Sequence, residues 1–528
     1  MFVPFLLLAI FFVFVVLLYL KRISAMLALP LMALLFAVVA KIPRADILER
    51  ILEHGPLNFG PAIMAAIFGG MLALFIKNQG IAEAMVRYAA ELGGERPLLL
   101  SFLLMMVTAV LFMLLGGLGT VIMVGSIVLP ILLSVGVPPL TAACLMLIGL
   151  AMGGVLNLGN WQLYVSVLQL PQSVVQKFMI ILFALFFSTG TLFCFFSLRR
   201  SQLHRFWPAV EKAQTPVMAL HRLALLAPFT PLACALLLHW PIVPSFIVGL
   251  LFTLLVSSQS GQAAVLSLLI LLVNLTLMAE FYPALSSTHA ESRTDAVAAV
   301  ANGILLLAPF LLWLLVALVV AHKRQSRWRT RAALLAPLLP LVLIHFTRMD
   351  MITAFILGML LAIMLTVRRD TMQVFTKSVL EGFESAGPAV VLIIGIGMLY
   401  ETVTHENLKH ALAPLLAGLV PASPILFVLT FGALAPLALY RGPLNIWGMG
   451  AGFATIMLAT SDLQPQAIMA VLASLGAVQG VCDPTNTHNV WIAAYAKVET
   501  LDILKRTIIF IWPMAIVALT IAAAMYFK

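Results

Sequence analysis

Apolar runs of about twenty residues recur along the whole chain, separated by short polar or basic stretches. An apolar run of eighteen or more residues with few charges is the mark of a helix that crosses a bilayer. The pattern predicts spanning helices at 2–20, 24–40 and 59–76, then a polar, amphipathic piece at 81–95 suited to an interface. It continues with an apolar stretch at 98–135, a long run at 139–170 and another at 176–196. Stretch 98–135 is broken by Gly116-Gly117-Leu118-Gly119-Thr120. It reads either as two spanning helices or as one hairpin that enters and leaves on the same side.

The same punctuation returns later in the chain. Residues near 60–160 match residues near 387–487 at a single offset of 327, without a gap. Gly60-Pro61 falls on Gly387-Pro388, Gly70 on Gly397, Pro97 on Pro424, Gly125 on Gly452, Pro138 on Pro465 and Gly153 on Gly480. Gly and Pro punctuate backbone, so their agreement in one register signals an internal repeat. The chain divides as repeat 1 over 1–201, a middle piece over 202–327 and repeat 2 over 328–528. Repeat 2 is expected to hold a helix at 332–347, an amphipathic piece around 405–418, a hairpin at 424–460, a broken helix at 466–498 and a last span at 503–523. The middle piece is expected to hold four spans, near 223–239, 241–256, 262–279 and 303–321.

Charge fixes the orientation. Of 528 residues 63% are hydrophobic and only 9% charged, against about 25% charged in a soluble domain. The net charge of +10 sits in a few short loops, as the positive-inside rule requires, and does not mark a nucleic-acid binder. Lys21-Arg22 places helix 2–20 with its N-terminus outside. Reading 98–135 as a hairpin then puts Arg199-Arg200, Arg205, Lys212 and Arg222 in the cytoplasm, whereas two full spans would put them outside. A second basic loop, Lys323 to Arg331, starts repeat 2 from the inside, so the two repeats run in opposite senses. The expected fold is an all-α polytopic membrane protein of about fourteen spans, in a bacterial inner membrane, with both termini outside.

Lipid tolerates non-helical backbone only where protein buries it or a cavity is lined by it. Inverted repeats with broken helices place such backbone around a ligand at mid-bilayer, as in secondary transporters. Four breaks come in repeat-related pairs. The hairpin tips are Gly116–Thr120, with Gly117, Gly119 and Thr120 as ligand candidates, and Arg441–Asn445. The broken spans are Asn157–Trp161, with candidates Asn157 and Asn160, and the polar run Asp483–Asn489, with candidates Thr485, Asn486 and Thr487. Within the second tip Arg441 and Asn445 are the candidates. Arg441 between two apolar runs would be costly at mid-depth, and a guanidinium pairs bidentately with carboxylate. It therefore points to an anionic substrate, or to an interfacial anchor if 424–440 is a plain span. Asp483, placed where a carboxylate can take up a proton or hold Na⁺, is the candidate coupling residue; capping the following helix is its structural alternative. His488 is a second titratable candidate. Trp161 and Trp447 read as interfacial, or as walls of the site. Asp46, Glu49, Glu53, Glu280, Glu291 and Asp295 read as solvated residues of loop-like stretches.

No P-loop, HExxH, GxSxG or EF-hand pattern occurs, and the four cysteines form no CxxC pair. The reading is therefore not an enzyme. It has no organic cofactor, leaves a bound Na⁺ open, and draws its energy from an ion gradient. A cation/proton antiporter that uses Asp483 and not Arg441 is the alternative.

At these residues, above all GGLGTVIMVGSIVLPILLSVGVPPLTAA over 116–143, the chain resembles the ion-transporter superfamily of secondary carriers. It is similar in style to the lactate permease, gluconate permease and C4-dicarboxylate carrier branches. The resemblance covers 1–201 and 328–528. The Ser-Asn-Thr triplets of the dicarboxylate/sodium branch are replaced by Gly-Leu-Gly-Thr and Leu-Asn-Ile-Trp. The resemblance implies an elevator-type symporter of small carboxylates with H⁺ or Na⁺. Hairpins and broken helices would form the mobile unit and the remaining spans a scaffold, in a homodimer. The partners implied are the organic anion, a coupling cation and membrane lipid.

Overall fold

A computed structural model describes residues 2–20, 22–113, 116–199, 222–257, 356–357, 360, 369–416, 421, 423–441, 444–460 and 463–527. Among them there is no strand, and six helices, or seven counting one bent pair as a single span, are long and apolar enough to cross a membrane. The protein is an all-α integral membrane protein. The expected spans 262–279, 303–321 and 332–347 lie outside the described residues.

The first half runs α1 (Phe2–Tyr19), α2 (Ala25–Val39), α3 (Gly60–Asn78), α4 (Ile81–Gly93), α5 (Pro97–Phe112), α6 (Gly117–Ser134), α7 (Pro139–Val155), α8 (Leu158–Leu168) and α9 (Gln172–Arg199). From the middle piece come a 3₁₀ turn over Arg222–Phe229, α10 (Thr230–Leu237) and α11 (Ile242–Ser257). The second half runs α12 (Arg369–Thr404), α13 (Glu406–Leu416), α14 (Pro424–Ala433), a 3₁₀ segment Ala435–Arg441, a π turn Ile446–Gly450, α15 (Ala451–Thr460), α16 (Pro465–Cys482), α17 (Thr487–Ala496) and α18 (Thr500–Tyr526). From α3 and α12 onward the order of long, amphipathic, paired, short and long helices is the same in both halves.

Helices α3 and α12 pack antiparallel at the centre. Asn78, at the end of α3, donates to Ser378 Oγ and Glu381 Oε2 near the start of α12, both at 3.0 Å. Phe59, before α3, stacks edge-on against Tyr400 near the end of α12, with 5.7 Å between centroids. Backbones touch at two places: Gly55 lies against Gly397, and Gly70 against Gly382. Adding 327 to one member of the first pair and subtracting it from the other gives the second pair. Small residues let helix backbones approach this closely where lipid offers no hydrophobic drive between helices.

One sequence expectation needs correcting. Residues around Asp46, Glu49 and Glu53 are not loop but helical, as Arg44–Asp46, a π-helical Ile47–His54 and Gly55–Asn58. Glu49 and Glu53 are exposed, but Asp46 is tied down, its carboxylate 3.3 Å from His405 Nε2. Beside it Glu401 takes Arg50 at 3.6 Å and the Asn58 amide at 2.8 Å. This segment therefore clamps the end of α12 by charge, a partnership that a single sequence does not disclose. Glu280, Glu291 and Asp295 lie outside the described residues.

Stretch 98–135 turns at its glycines. α5 and α7 run parallel, because Gly149 sits on Met105 and Thr108, and Gly153 on Ala109 and Phe112. α6 follows α5 after the turn at Gly116-Gly117, where Gly117 has φ +79°, a left-handed conformation that glycine adopts without penalty. The first arm of the second pair, α14, is shorter for a chemical reason. Pro436 has no N–H, so the helix tightens into 3₁₀ geometry after Ala433. The Gly432 carbonyl, which residue 436 would have bonded, accepts from Trp512 Nε1 of α18 at 2.8 Å instead.

Candidate functional site

Each broken span is held by its own asparagines. α7 ends at Val155, and the chain bends by 51° into α8. The ends of both half-helices carry backbone groups without intrahelical partners, and each needs one away from water. Asn157 caps α8, its Oδ1 accepting from the N–H of Gly159 (3.0 Å) and Asn160 (3.3 Å). Asn160 reaches back to the Gly154 carbonyl at 2.7 Å, and Trp161 Nε1 to Val155 at 2.7 Å. Trp161 is fully buried by this arrangement, so it is neither interfacial nor a wall of the cavity.

The second break repeats the device. Asn486 caps α17 by accepting from His488 N–H at 3.4 Å, and Asn489 reaches back to Val481 at 2.8 Å. Carbonyls 154 and 481 are related by the offset of 327, but their asparagine partners, 160 and 489, are two residues further apart. The segment Asp483–Asn486 holds the extra pair of residues. By capping role Asn157 corresponds to Asn486, and not to Pro484 as ungapped alignment has it. The motif is Asn-x-x-Asn, legible as Asn157-Leu158-Gly159-Asn160 and Asn486-Thr487-His488-Asn489. Asn489, absent from the expected site residues, is therefore a member of the set; its Oδ1 is buried without a hydrogen-bond partner.

Asp483 does not start the following helix. It ends α16, is fully buried, and accepts from Thr485 N–H (2.8 Å), Thr485 Oγ1 (2.7 Å) and Gln479 Nε2 (3.3 Å). These bonds close the linker between α16 and α17 on itself.

The tips meet the breaks. Asn157 Nδ2 donates to the Phe112 carbonyl at the end of α5, at 3.3 Å. Asn445 caps the π turn through Trp447 N–H at 3.0 Å, and Trp447 Nε1 donates to Asn160 Oδ1 at 3.0 Å. That last bond crosses 287 residues of sequence and joins the second tip to the first break. Trp447→Phe would remove this N–H together with part of the indole's bulk, and Trp447→His at neutral pH, which keeps a ring N–H, is the comparison. The expected cost is about 1 kcal/mol, seen as roughly fivefold faster hydrogen exchange of amides 446–450. Unchanged exchange would show that the bond does not hold the tip.

All four elements surround one cavity of about 750 Å³. Of the residues expected from sequence, Gly117, Gly119, Thr120, Asn157, Asn160, Asn445, Asn486, Thr487 and His488 line it, and Trp447 walls it. Asp483 and Thr485 do not line it and lie behind Gln479, which does. Arg441 ends the 3₁₀ segment; its side chain lies outside the described residues. Sequence reasoning passed over Lys77 and Gln479, both lining residues. The lining also includes a stripe of small residues along α3 (Ala62, Ala65, Ala66, Gly69, Gly70 and Ala73) with Ser385, Ala386 and Ala389 of α12. Among the described residues no cluster of His, Cys, Asp and Glu is placed to hold a metal. The volume falls in the range of small-molecule sites, and its amides and hydroxyls offer both donors and acceptors.

No protein-family model and no curated protein sequence matches this chain.

Proposed function

We propose that the protein is a secondary active transporter of a small organic anion, a carboxylate, driven by an H⁺ or Na⁺ gradient through elevator-type alternating access. The observation that carries this reading is one cavity lined by residues of both glycine- and asparagine-containing tips and of both interrupted helices. Such backbone at depth in lipid is tolerated only beside protein or a cavity. Antiparallel α3 and α12, their exchanged glycine contacts and the matching asparagine devices support two inverted repeats, each with a re-entrant hairpin and a broken helix. Fourteen spans complete that plan. In it the protein is no enzyme, its partners are the anion, a coupling cation and lipid, and the mobile units of a homodimer work across a common scaffold in an inner membrane. The resemblance to the ion-transporter superfamily belongs to the same proposal. The described cavity lining has no carboxylate, which favours an anion over the cation cargo of an antiporter.

Reconstitution tests it. Proteoliposomes supplied with labelled acetate, L-lactate, D-gluconate and succinate, each under an imposed H⁺ or Na⁺ gradient, are expected to accumulate at least one of them saturably. Arg441→Ala is expected to lower that uptake by about 100-fold, the loss of a charge-assisted bidentate pair. No uptake of any anion, with Na⁺-driven proton movement in its place, would replace this reading with the antiporter.

A further inference from the structure

Lys77 was not among the residues its sequence position recommends. It lies in the last turn of α3, where a lysine ordinarily serves as an inner-surface anchor and reaches for water. In the folded chain it lines the cavity instead. It is the one formally charged side chain in the described lining, which contains no Asp or Glu. Glu381 of α12, which meets this end of α3, is already engaged. Its Oε2 accepts from Asn78 at 3.0 Å, and its Oε1 lies 3.6 Å from Lys377 Nζ one turn back on the same helix. Among the described residues Lys77 itself has no ion pair and no hydrogen bond.

A partly buried ammonium without a counter-ion is unfavourable on its own account, and apolar walls strengthen its field by excluding water. The cavity supplies such walls through Ala73, Leu74 and Phe112. It also supplies neutral donors. Asn445 and Asn486 use their Oδ1 atoms as caps, and their side-chain N–H groups have no acceptor among the described residues. We infer that Lys77 is a fixed positive charge that pairs with the carboxylate of the transported anion inside this cavity. The inference rests on the transport reading above and adds to Arg441 a second cation, one that stands in the cavity lining. An ammonium is a compact point charge with three rotatable donors, so it selects for negative charge more than for planar geometry. Lys77 stands on α3, and the asparagine breaks line the same cavity.

The experiment uses whichever of acetate, L-lactate, D-gluconate and succinate the wild-type protein accumulates in proteoliposomes. Lys77→Gln is expected to raise KM for that anion by about 10- to 100-fold, while Lys77→Arg stays within about threefold. Lys77→Cys supplies a second, chemical reading. With the charge removed its KM should rise as for Lys77→Gln, and 2-aminoethyl methanethiosulfonate, which puts an ammonium back, should restore it. The same anion should slow that modification. The four native cysteines are buried, so the wild-type protein treated alike is the control. Unchanged KM in Lys77→Gln, or in Lys77→Cys should the glutamine variant not purify as a single species, would overturn the role of Lys77 and leave the transport reading standing. A wild-type protein that accumulates none of the four anions would overturn both.

Discussion

Gly397→Ala is expected to cost this protein most of its folded yield, although it adds one methyl group in the middle of a helix. A Cβ at 397 would run into the carbonyl oxygen of Gly55 and come within 3.1 Å of the Phe59 ring. The carbonyl cannot yield as a side chain would, because it belongs to the backbone of the segment leading into α3. The helices must separate, at about 3 kcal/mol or more, and the glycine contact between 70 and 382 shares the strain. Gly387→Ala on the same helix is the control. Nothing lies within 4 Å of its added methyl, and alanine is the better helix former by about 0.5–1 kcal/mol. Gel filtration of fluorescent fusions in mild detergent compares the two directly. Equal monodisperse yields would show that the α3–α12 contact does not set the fold.

Asp483→Ala is expected to be the most damaging single change at the breaks. The substitution leaves the Thr485 N–H, the Thr485 hydroxyl and the Gln479 amide, all half-buried, without their shared acceptor, the fully buried Asp483 carboxylate. A hydrogen bond to a charged group contributes about 1.5–3 kcal/mol, and half-buried donors recover part of that from water, so a loss of about 3 kcal/mol is expected for the three together. Thermal unfolding followed by tryptophan fluorescence should report it, since Trp491 and Trp512 lie on the neighbouring α17 and α18. Thr485→Val removes one of the three donors together with its need, and should cost less than half as much. If Asp483→Ala melts with the wild type, the carboxylate is not the clasp of this linker.

Long apolar runs, the amphipathic pieces and the four interruptions were all legible because each is a local property of the chain. α13, expected at 405–418, runs Glu406–Leu416, and the break expected in 466–498 falls between Cys482 and Thr487. What the sequence hid is relational. A fixed offset aligns Asn157 with Pro484, because two inserted residues are invisible to a search anchored on Gly and Pro; only the carbonyls that the asparagines bond reveal the true pairing. Lys77 at a helix end carries no local sign that it turns inward. Asp46, Glu49 and Glu53 have the composition of a loop, yet their segment is helical, and His405 and Glu401, more than 340 residues away, hold its Asp46, Arg50 and Asn58. Asp483 was legible as unusual but not as buried, since Asp before Pro reads equally well as a helix start.

The face that α3 turns to the cavity has one further consequence. From Ala62 to Ala73 it presents only methyl groups and hydrogens, over about three turns of helix. Interdigitated side chains act as gear teeth, so bodies that mesh through them can shift only by whole steps. This surface has no teeth. A polar unit displaced along it would glide without climbing over knobs, and the stops on its travel would have to come from the two ends of the track.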